Sequence, residues 1–260
     1  MTGTTQDLTG RVALVSGGGR GIGAAIVRRL ADRGASVAVN YRSDRASAEA
    51  LVSEMRGAGH HVTALRADVS DPAQSTRLVD AVVEEFGRLD ALASNAGVEH
   101  FGALESITVA DFNHVFHTNV AGQLFLTQAA AAAMRDGGRI VLTSSVSARL
   151  AVRHHTLYAA SKAAVSAMVL NLAPELADAG IAINAIAPGG TATDMASEVS
   201  HRYIHPALSG VDPQTVVKTL SALGRMAQPD EIAAVVAFLL SPEASYLTGA
   251  TIDASAGAGG

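Results

Sequence analysis

Tyr158 and Lys162 are the residues whose types and spacing first suggest chemistry in this sequence. They open a strongly helical stretch, and four residues is close to one helical turn, so both side chains fall on one face. A free tyrosine, with a pKa of roughly 10, is a poor acid–base catalyst near neutrality. A cation beside it favours the phenolate and brings the phenol closer to the working range. Alone, such a pair describes an ordinary helix face, so its surroundings decide its meaning. Thr143-Ser144-Ser145 and Ser94-Asn95-Ala96-Gly97 stand at the ends of two apolar runs. In a parallel sheet the carboxyl ends of the strands are where ligands bind.

A second group of residues suits a phosphate. An apolar run leads into Ser16-Gly17-Gly18-Gly19-Arg20-Gly21-Ile22-Gly23, and a helical pattern starts at once. Backbone N–H groups and a helix N-terminus then point at one place, a ready site for a pyrophosphate. Gly17, Gly21 and Gly23 follow a G-x-x-x-G-x-G pattern, a wider turn than G-x-G-x-x-G. A site for NAD places a carboxylate about 20 residues on, at the end of the second strand, to accept from the ribose 2′-hydroxyl. Here that place reads Val39-Asn40-Tyr41-Arg42. Asn40 is neutral, Arg42 is cationic, and Arg20 lies in the turn itself. A 2′-phosphate would meet two guanidinium groups and no repelling acid, so NADP(H) is the expected cofactor.

The elements that position these residues alternate along the chain. Strands are expected over Val12–Ser16, Ser36–Tyr41, His61–Arg66, Leu89–Ser94, Arg139–Ser144, Ile181–Ala187 and Ala250–Asp253. They are nearly continuous apolar runs, as parallel strands covered on both faces must be. Helical patterns fill 22–33, 45–57, 73–86, 109–134, 157–178 and 230–240. The expected fold is therefore α/β, a doubly wound, Rossmann-type sheet of seven parallel strands with helices on both faces. No linker divides it, which predicts one catalytic domain over residues 1–260. Pro174, inside a helix, predicts a bend. Residues 191–215 show no clear periodicity, and a loop that long reads as a substrate lid.

Composition narrows the class. A chain of 260 residues with 24 acidic and 19 basic side chains carries a net charge of −5, which argues against nucleic-acid or membrane-surface binding. Without cysteine there is no thiolate nucleophile and no cysteine-based metal site. His201 and His205 stand four apart with no third ligand evident, so no metal is expected. Met1 to Arg11 lacks the pattern of a signal peptide, and no apolar stretch approaches the ~20 residues of a membrane helix, which points to the cytoplasm.

Taken in order, the glycine turn, Asp68-Val69, Asn95-Ala96-Gly97, Asn119, the serine ending the fifth strand, Tyr158/Lys162 and Pro188-Gly189 resemble the short-chain dehydrogenase/reductase family across essentially the whole chain. The resemblance implies a catalytic Ser–Tyr–Lys triad assisted by an asparagine. The family's serine usually stands thirteen residues before the tyrosine, which selects Ser145 and leaves Ser144 in support. Tyr158 is then the proton donor in reduction, and Lys162 lowers its pKa and holds the nicotinamide ribose. Ser145 stabilises the substrate oxygen, and Asn119 positions a water that relays protons. Asp68 should face the adenine, Asn95 the adenosine ribose, and Thr193 the carboxamide or pyrophosphate. Tyr41, Val69, Ala96, Gly97, Pro188, Gly189 and Thr191 complete the implied cofactor site.

Within the family, Val39-Asn40-Tyr41, Val98 with Phe101-Gly102, Asp136-Gly137-Gly138-Arg139, Ala187-Pro188-Gly189-Gly190, Thr193-Asp194-Met195 and Arg202-Tyr203-Ile204 resemble fungal hydroxynaphthalene reductases and aromatic polyketide ketoreductases. That implies a flat aromatic ketone, bound by Ser145, Tyr158, Gly190, Met195 and Tyr203. It also implies a homotetramer built through the helices holding Asn119 and Tyr158. The tail, Ile252-Asp253-Ala254-Ser255-Ala256-Gly257, departs from the family's Asp-Gly-Gly. His154 and His155 are expected as surface or loop residues. A 3-oxoacyl-thioester reductase is the alternative enzyme; it would need a basic entrance patch, toward which only Arg149 and Arg153 are available. A non-catalytic dinucleotide sensor would typically have lost Tyr158 or Lys162.

Overall fold

The computed structural model describes residues 7–258 other than 136, 204–209, 213–214, 216–218 and 220. Asp136, Ile204 and His205, named above, thus lie outside the described residues, as does part of the 191–215 segment. The strands are β1 (Val12–Ser16), β2 (Ser36–Tyr41), β3 (Val62–Arg66), β4 (Ala91–Ser94), β5 (Arg139–Thr143), β6 (Ala182–Pro188) and β7 (Thr251–Ala254). They form one parallel sheet in the order β3-β2-β1-β4-β5-β6-β7. The expected strands are all present, with ends shifted by one or two residues.

The helices are α1 (Gly21–Asp32), α2 (Arg45–Gly57), α3 (Pro72–Phe86), α4 (Val109–Phe116), α5 (Gly122–Ala133), α6 (Thr156–Ala177), α7 (Asp194–Val199) and α8 (Pro229–Leu239). The two faces of the sheet bury separate cores. Ile26, Leu30, Leu51, Ile232 and Val236 pack on one side, from α1, α2 and α8. Leu78, Val82, Leu126, Val165 and Val169 pack on the other, from α3, α5 and α6. Strands covered twice have no polar face to show, which is why β1 is apolar and buried along its whole length.

Two expectations are corrected. The single helix over 109–134 is broken by a π-helical segment, His117–Ala121, in which Asn119 is fully buried. Such widened turns insert a residue without changing the apolar pattern, and they recur at functional sites. Residues 194–199, read as irregular, form α7. α6 continues through Pro174 to Ala177. Pro174 lies on the exposed side near the helix end, and the carbonyl it cannot serve belongs to exposed Leu170, within reach of water.

The order reverses between β1 and β4, where neighbouring connections leave in opposite directions and a crevice opens. Fully buried Ser16 pins the two strand ends beside it. Its hydroxyl oxygen accepts the N–H groups of Asn95 at 3.0 Å and Ala96 at 3.1 Å. At the opposite edge buried Asp90 holds the strands' starts. It accepts the Val12 N–H at 2.9 Å, Arg11 at 3.1 Å, and Arg88 at 2.8 and 2.6 Å. Burial alone would raise its pKa, but these donors together hold it below the usual carboxylate value. The lowered folded value makes the stabilisation present at neutral pH and lost as pH falls through it, below roughly 3.9. Asp90→Asn should cost about 1–3 kcal/mol at pH 7. Chemical denaturation should show that difference shrinking below pH 4; a difference independent of pH would contradict the assignment.

Candidate active site

The glycine turn follows β1 at the reversal point. Gly17 has a φ of +60°, and a Cβ there would stand 3.0 Å from the Ala96 Cα. A Cβ on Gly23 would lie 2.1 Å from the Gly17 carbonyl oxygen, so no larger residue lets α1 start this close to the turn. Arg20 caps α1 without a side-chain hydrogen bond. The first N–H groups of α1 have no intrahelical partner. Gly17, Gly19, Arg20, Gly21 and Ile22 line a cleft of about 1190 Å³ that runs along the carboxyl edge to Tyr158. The turn, the uncapped helix and two exposed guanidinium groups, Arg20 and Arg42, fit a dinucleotide carrying a further phosphate.

Asn40 serves this end of the cleft indirectly. It is buried, and its side-chain amide donates to the carbonyls of Ala67 at 3.1 Å and Leu65 at 3.3 Å, while its own carbonyl accepts from Gly18. It locks β2, β3 and the turn together. The expectation of no acid nearby needs correcting. Asp44 lines the cleft, accepts the Ser47 N–H as cap of α2, and feels the charge of Arg20. Asp68 accepts both the backbone and hydroxyl of Ser70, and Asp68 and Val69 line the cleft with Asn95, Ala96 and Gly97. Thr193 lies against Gly21, and Pro188, Gly189, Gly190 and Thr191 form the wall beyond β6.

At the far end Ser144 and Ser145 part company. The Ser144 hydroxyl donates to the Lys162 carbonyl at 2.8 Å and meets Ser166, facing α6. The Ser145 hydroxyl accepts the Ser147 N–H at 3.1 Å and hydrogen-bonds Tyr158. Lys162 is buried; its ammonium donates to the Thr143 carbonyl at 2.8 Å and lies 5.5 Å from the centre of the Tyr158 ring. Burial brings its pKa down to about 8, against the opposing pull of Glu99. Tyr158 departs from the expected lowering. Burial pushes its phenol above the ordinary value, Glu99 adds to that, and the Ser145 bond opposes it. The ammonium is turned to a carbonyl, so the phenol stays protonated.

Asn119 is held in place through its side chain. Its side-chain oxygen accepts the Val98 N–H at 2.8 Å, and its amide donates to Val98 at 2.9 Å and Ser161 at 3.0 Å. Its side chain is a clamp between the loop after β4 and α6. A Cβ on Gly97 would stand 3.2 Å from the Asn119 Oδ1 and 3.4 Å from the Lys162 Nζ, so the clamp and the ammonium share one tight corner.

The residues missed by sequence reasoning form the remaining wall. His155, expected at the surface, is buried and bonds the Glu99 Oε1 at 2.5 Å. Its ring stacks between Phe101 at 4.3 Å and Tyr158 at 4.7 Å between centres. Only His154 is exposed, at a φ of +61°, its carbonyl accepting from Gly102. Tyr203 reaches across to the same Glu99 oxygen at 2.5 Å, edge-on to Phe101 and His155. Met195 stands beside it in the cleft. Three residues from His155 to Tyr158 place both on one helix face, the one local signal for it.

The atypical tail is folded into this wall. Gly189 donates to the Ala254 carbonyl, Ala222 to Ala256, and Ala227 to Gly190. A Cβ on Gly189 would stand 2.8 Å from the Ser255 Cα. Ala256 takes a φ of +53°, a conformation glycine would adopt without strain.

Comparison with known proteins agrees with this geometry. The family model described as enoyl-(acyl carrier protein) reductase matches residues 17–258. A versicolorin reductase of Emericella nidulans is 43% identical over 254 residues, covering 96% of each chain. A hydroxynaphthalene reductase-like protein of Metarhizium robertsii is 42% identical over 253 residues, covering 96% of this chain and 95% of that one. Among solved structures, a short-chain dehydrogenase of Burkholderia cenocepacia in complex with NADP superposes with a TM-score of 0.88 at 37% identity, covering 98% of this chain and all of the other. Glycine turn, Ser145, Tyr158 and Lys162 thus sit in a frame shared over nearly the whole length, and the chain belongs to the short-chain dehydrogenase/reductase family.

Proposed function

We propose that this protein is an NADPH-dependent reductase of ketones, acting on flat aromatic or polycyclic substrates of the hydroxynaphthalene or polyketide kind. One observation carries the reading: the Ser145 and Tyr158 hydroxyls converge at the end of a cleft that begins on the glycine turn. The similar proteins named for versicolorin and hydroxynaphthalene reduction support the substrate class, as does the ring of Tyr203 on the cleft wall, backed by Phe101 and His155.

NADPH, when bound, would supply the hydride to the substrate's carbonyl carbon. Ser145 hydrogen-bonds the substrate oxygen as negative charge develops on it, and the Tyr158 phenol gives that oxygen its proton. A phenol held above its ordinary pKa is in the donor form throughout the physiological range. The phenolate left behind lies near the Lys162 ammonium, which is charged below about pH 8. Gly17, Arg20, Gly21, Ile22 and Gly23 hold the pyrophosphate end, with Arg42 on the 2′-phosphate. Tyr41, Asp68, Val69, Asn95, Ala96 and Gly97 hold the adenosine half, and Pro188, Gly189, Thr191 and Thr193 the nicotinamide side. Gly190, Met195 and Tyr203 wall the substrate, and residues 191–215 act as its lid within one catalytic domain.

The thioester alternative has less support. Arg149 is paired with Asp253, and Arg153, hydrogen-bonded to His154, keeps its charge but is a single cation and no basic patch. No helix among the described residues is long and apolar enough to cross a membrane. We further place the protein in the cytoplasm, where reduced dinucleotide is available, as a homotetramer. Exposed Val109 and Phe112 on α4 and Leu170 on α6 supply apolar surface for that association.

NADPH oxidation measured against quinones, hydroxylated tetralones, 3-oxoacyl thioesters and sugars should show turnover with the aromatic ketones; turnover of thioesters alone would overturn the substrate class. Tyr158→Phe should lower kcat about 10²–10⁴-fold while dinucleotide binding, followed by fluorescence, stays intact. The kcat/KM for reduction should fall as pH rises through about 8, where the Lys162 ammonium loses its proton. Replacing both Arg20 and Arg42 with serine should weaken NADPH binding by roughly 10–100-fold and NADH binding much less. Equal losses for both dinucleotides would refute the role of the two guanidinium groups.

A further inference from the structure

Glu99 is a carboxylate set in the wall of the cleft, its side chain 12% exposed, one imidazole ring away from Tyr158. None of the chemistry above requires it. It raises the pKa of Tyr158, and a charge in such a place is costly unless donors hold it. Two do. His155 and Tyr203 both reach Oε1 at 2.5 Å. The buried Nδ1 of His155 has no partner, and an N–H there would be stranded away from water. His155 therefore donates from Nε2, and the Glu99 carboxylate accepts.

The second donor is of a different kind. Tyr203 belongs to the lid segment, and what it delivers to Glu99 is a phenolic hydroxyl on a ring packed edge-on against Phe101 and His155. The protein thus contains its own example of a phenol bound at this carboxylate. A ligand that moves Tyr203 aside strands the charge, unless it brings a hydroxyl to the same point. Sites built to bond a hydroxyl reject analogues lacking one far more strongly than apolar pockets sort by size. Resting on the proposed aromatic-ketone activity, we infer that Glu99, held by His155, is the acceptor for a phenolic hydroxyl of the substrate, at the place Tyr203 marks. Glu99 then sets which hydroxylated ketones are turned over, with the carbonyl at Tyr158 and the phenol one ring's width away.

The test is a ratio of kcat/KM between the 5-, 6- and 7-hydroxy-1-tetralones and unsubstituted 1-tetralone, with NADPH and the full chain. The native protein should favour at least one hydroxylated isomer by about 10–100-fold, the worth of a hydrogen bond to a charged group. Glu99→Leu should bring that ratio close to one, and Glu99→Gln, which keeps the shape and an acceptor oxygen, should give an intermediate value. Tyr203→Phe removes the internal phenol but leaves the acceptor, so its ratio should stay at the native level or rise. A native ratio near one, or a ratio unmoved in both Glu99 variants, would overturn the inference and leave the aromatic-ketone activity standing. Failure of every tetralone alongside turnover of a 3-oxoacyl thioester would overturn both.

Discussion

Lys162 is 2% exposed, and an ammonium taken that far from water must find its solvation in the protein. The Thr143 carbonyl provides most of it, at 2.8 Å, and that carbonyl has to be aimed. Gln123 aims it: its amide donates to the same oxygen at 3.1 Å, and its side-chain oxygen accepts the Thr143 N–H at 2.9 Å. Gln123 in turn donates to the Asn119 carbonyl at 3.0 Å, at the π-helical break. The widened turn, the end of β5 and the charge of Lys162 are thus one connected arrangement. Asn119 fastens it to the loop after β4, and Ser144 fastens it to α6.

Two ends of one cleft are held by different physics. The glycine turn works by the absence of side chains, so that backbone and helix N-terminus come close to a ligand. The Tyr158 end works by crowding, with buried polar groups packed against one another, Lys162 on the Thr143 carbonyl and His155 on Glu99. Between them Ser16 keeps β1 and β4 in register at the point where the sheet's order reverses. The sheet itself does no chemistry. It fixes the distance between the glycine turn and Tyr158.

Much of this was legible in the sequence because it is local. Each strand is a run of four to seven residues whose burial on both faces leaves an apolar imprint, and the turn is written in consecutive glycines. Tyr158 and Lys162 lie one turn apart, so spacing alone joins them. What stayed hidden depends on pairing across the chain. Glu99 and His155 are 56 residues apart, and nothing near either announces the other. The π-helical break left the apolar pattern of 109–134 unchanged. Asp44 reads as a helix cap, which it is, and only the fold brings it to Arg20. The choice between Ser144 and Ser145 needed a family spacing, since adjacent residues on a strand point to opposite sides and sequence does not say which side is the cleft.

The stretch that leaves β6 is tied at both roots. Its entry is bonded through Gly189 to Ala254, its exit through Ala222 to Ala256, and the two roots meet where Ala227 donates to Gly190 and Ala192 to Ala227. Its closure is therefore secured by the chain's own tail. Closing a longer loop adds only about 0.6 kcal/mol per doubling of length. Insertions, deletions and exchanges between the two roots are accordingly cheap for the fold and leave Tyr158 where it is. A lineage built on this frame has a part it can rewrite freely without disturbing the sheet beneath it.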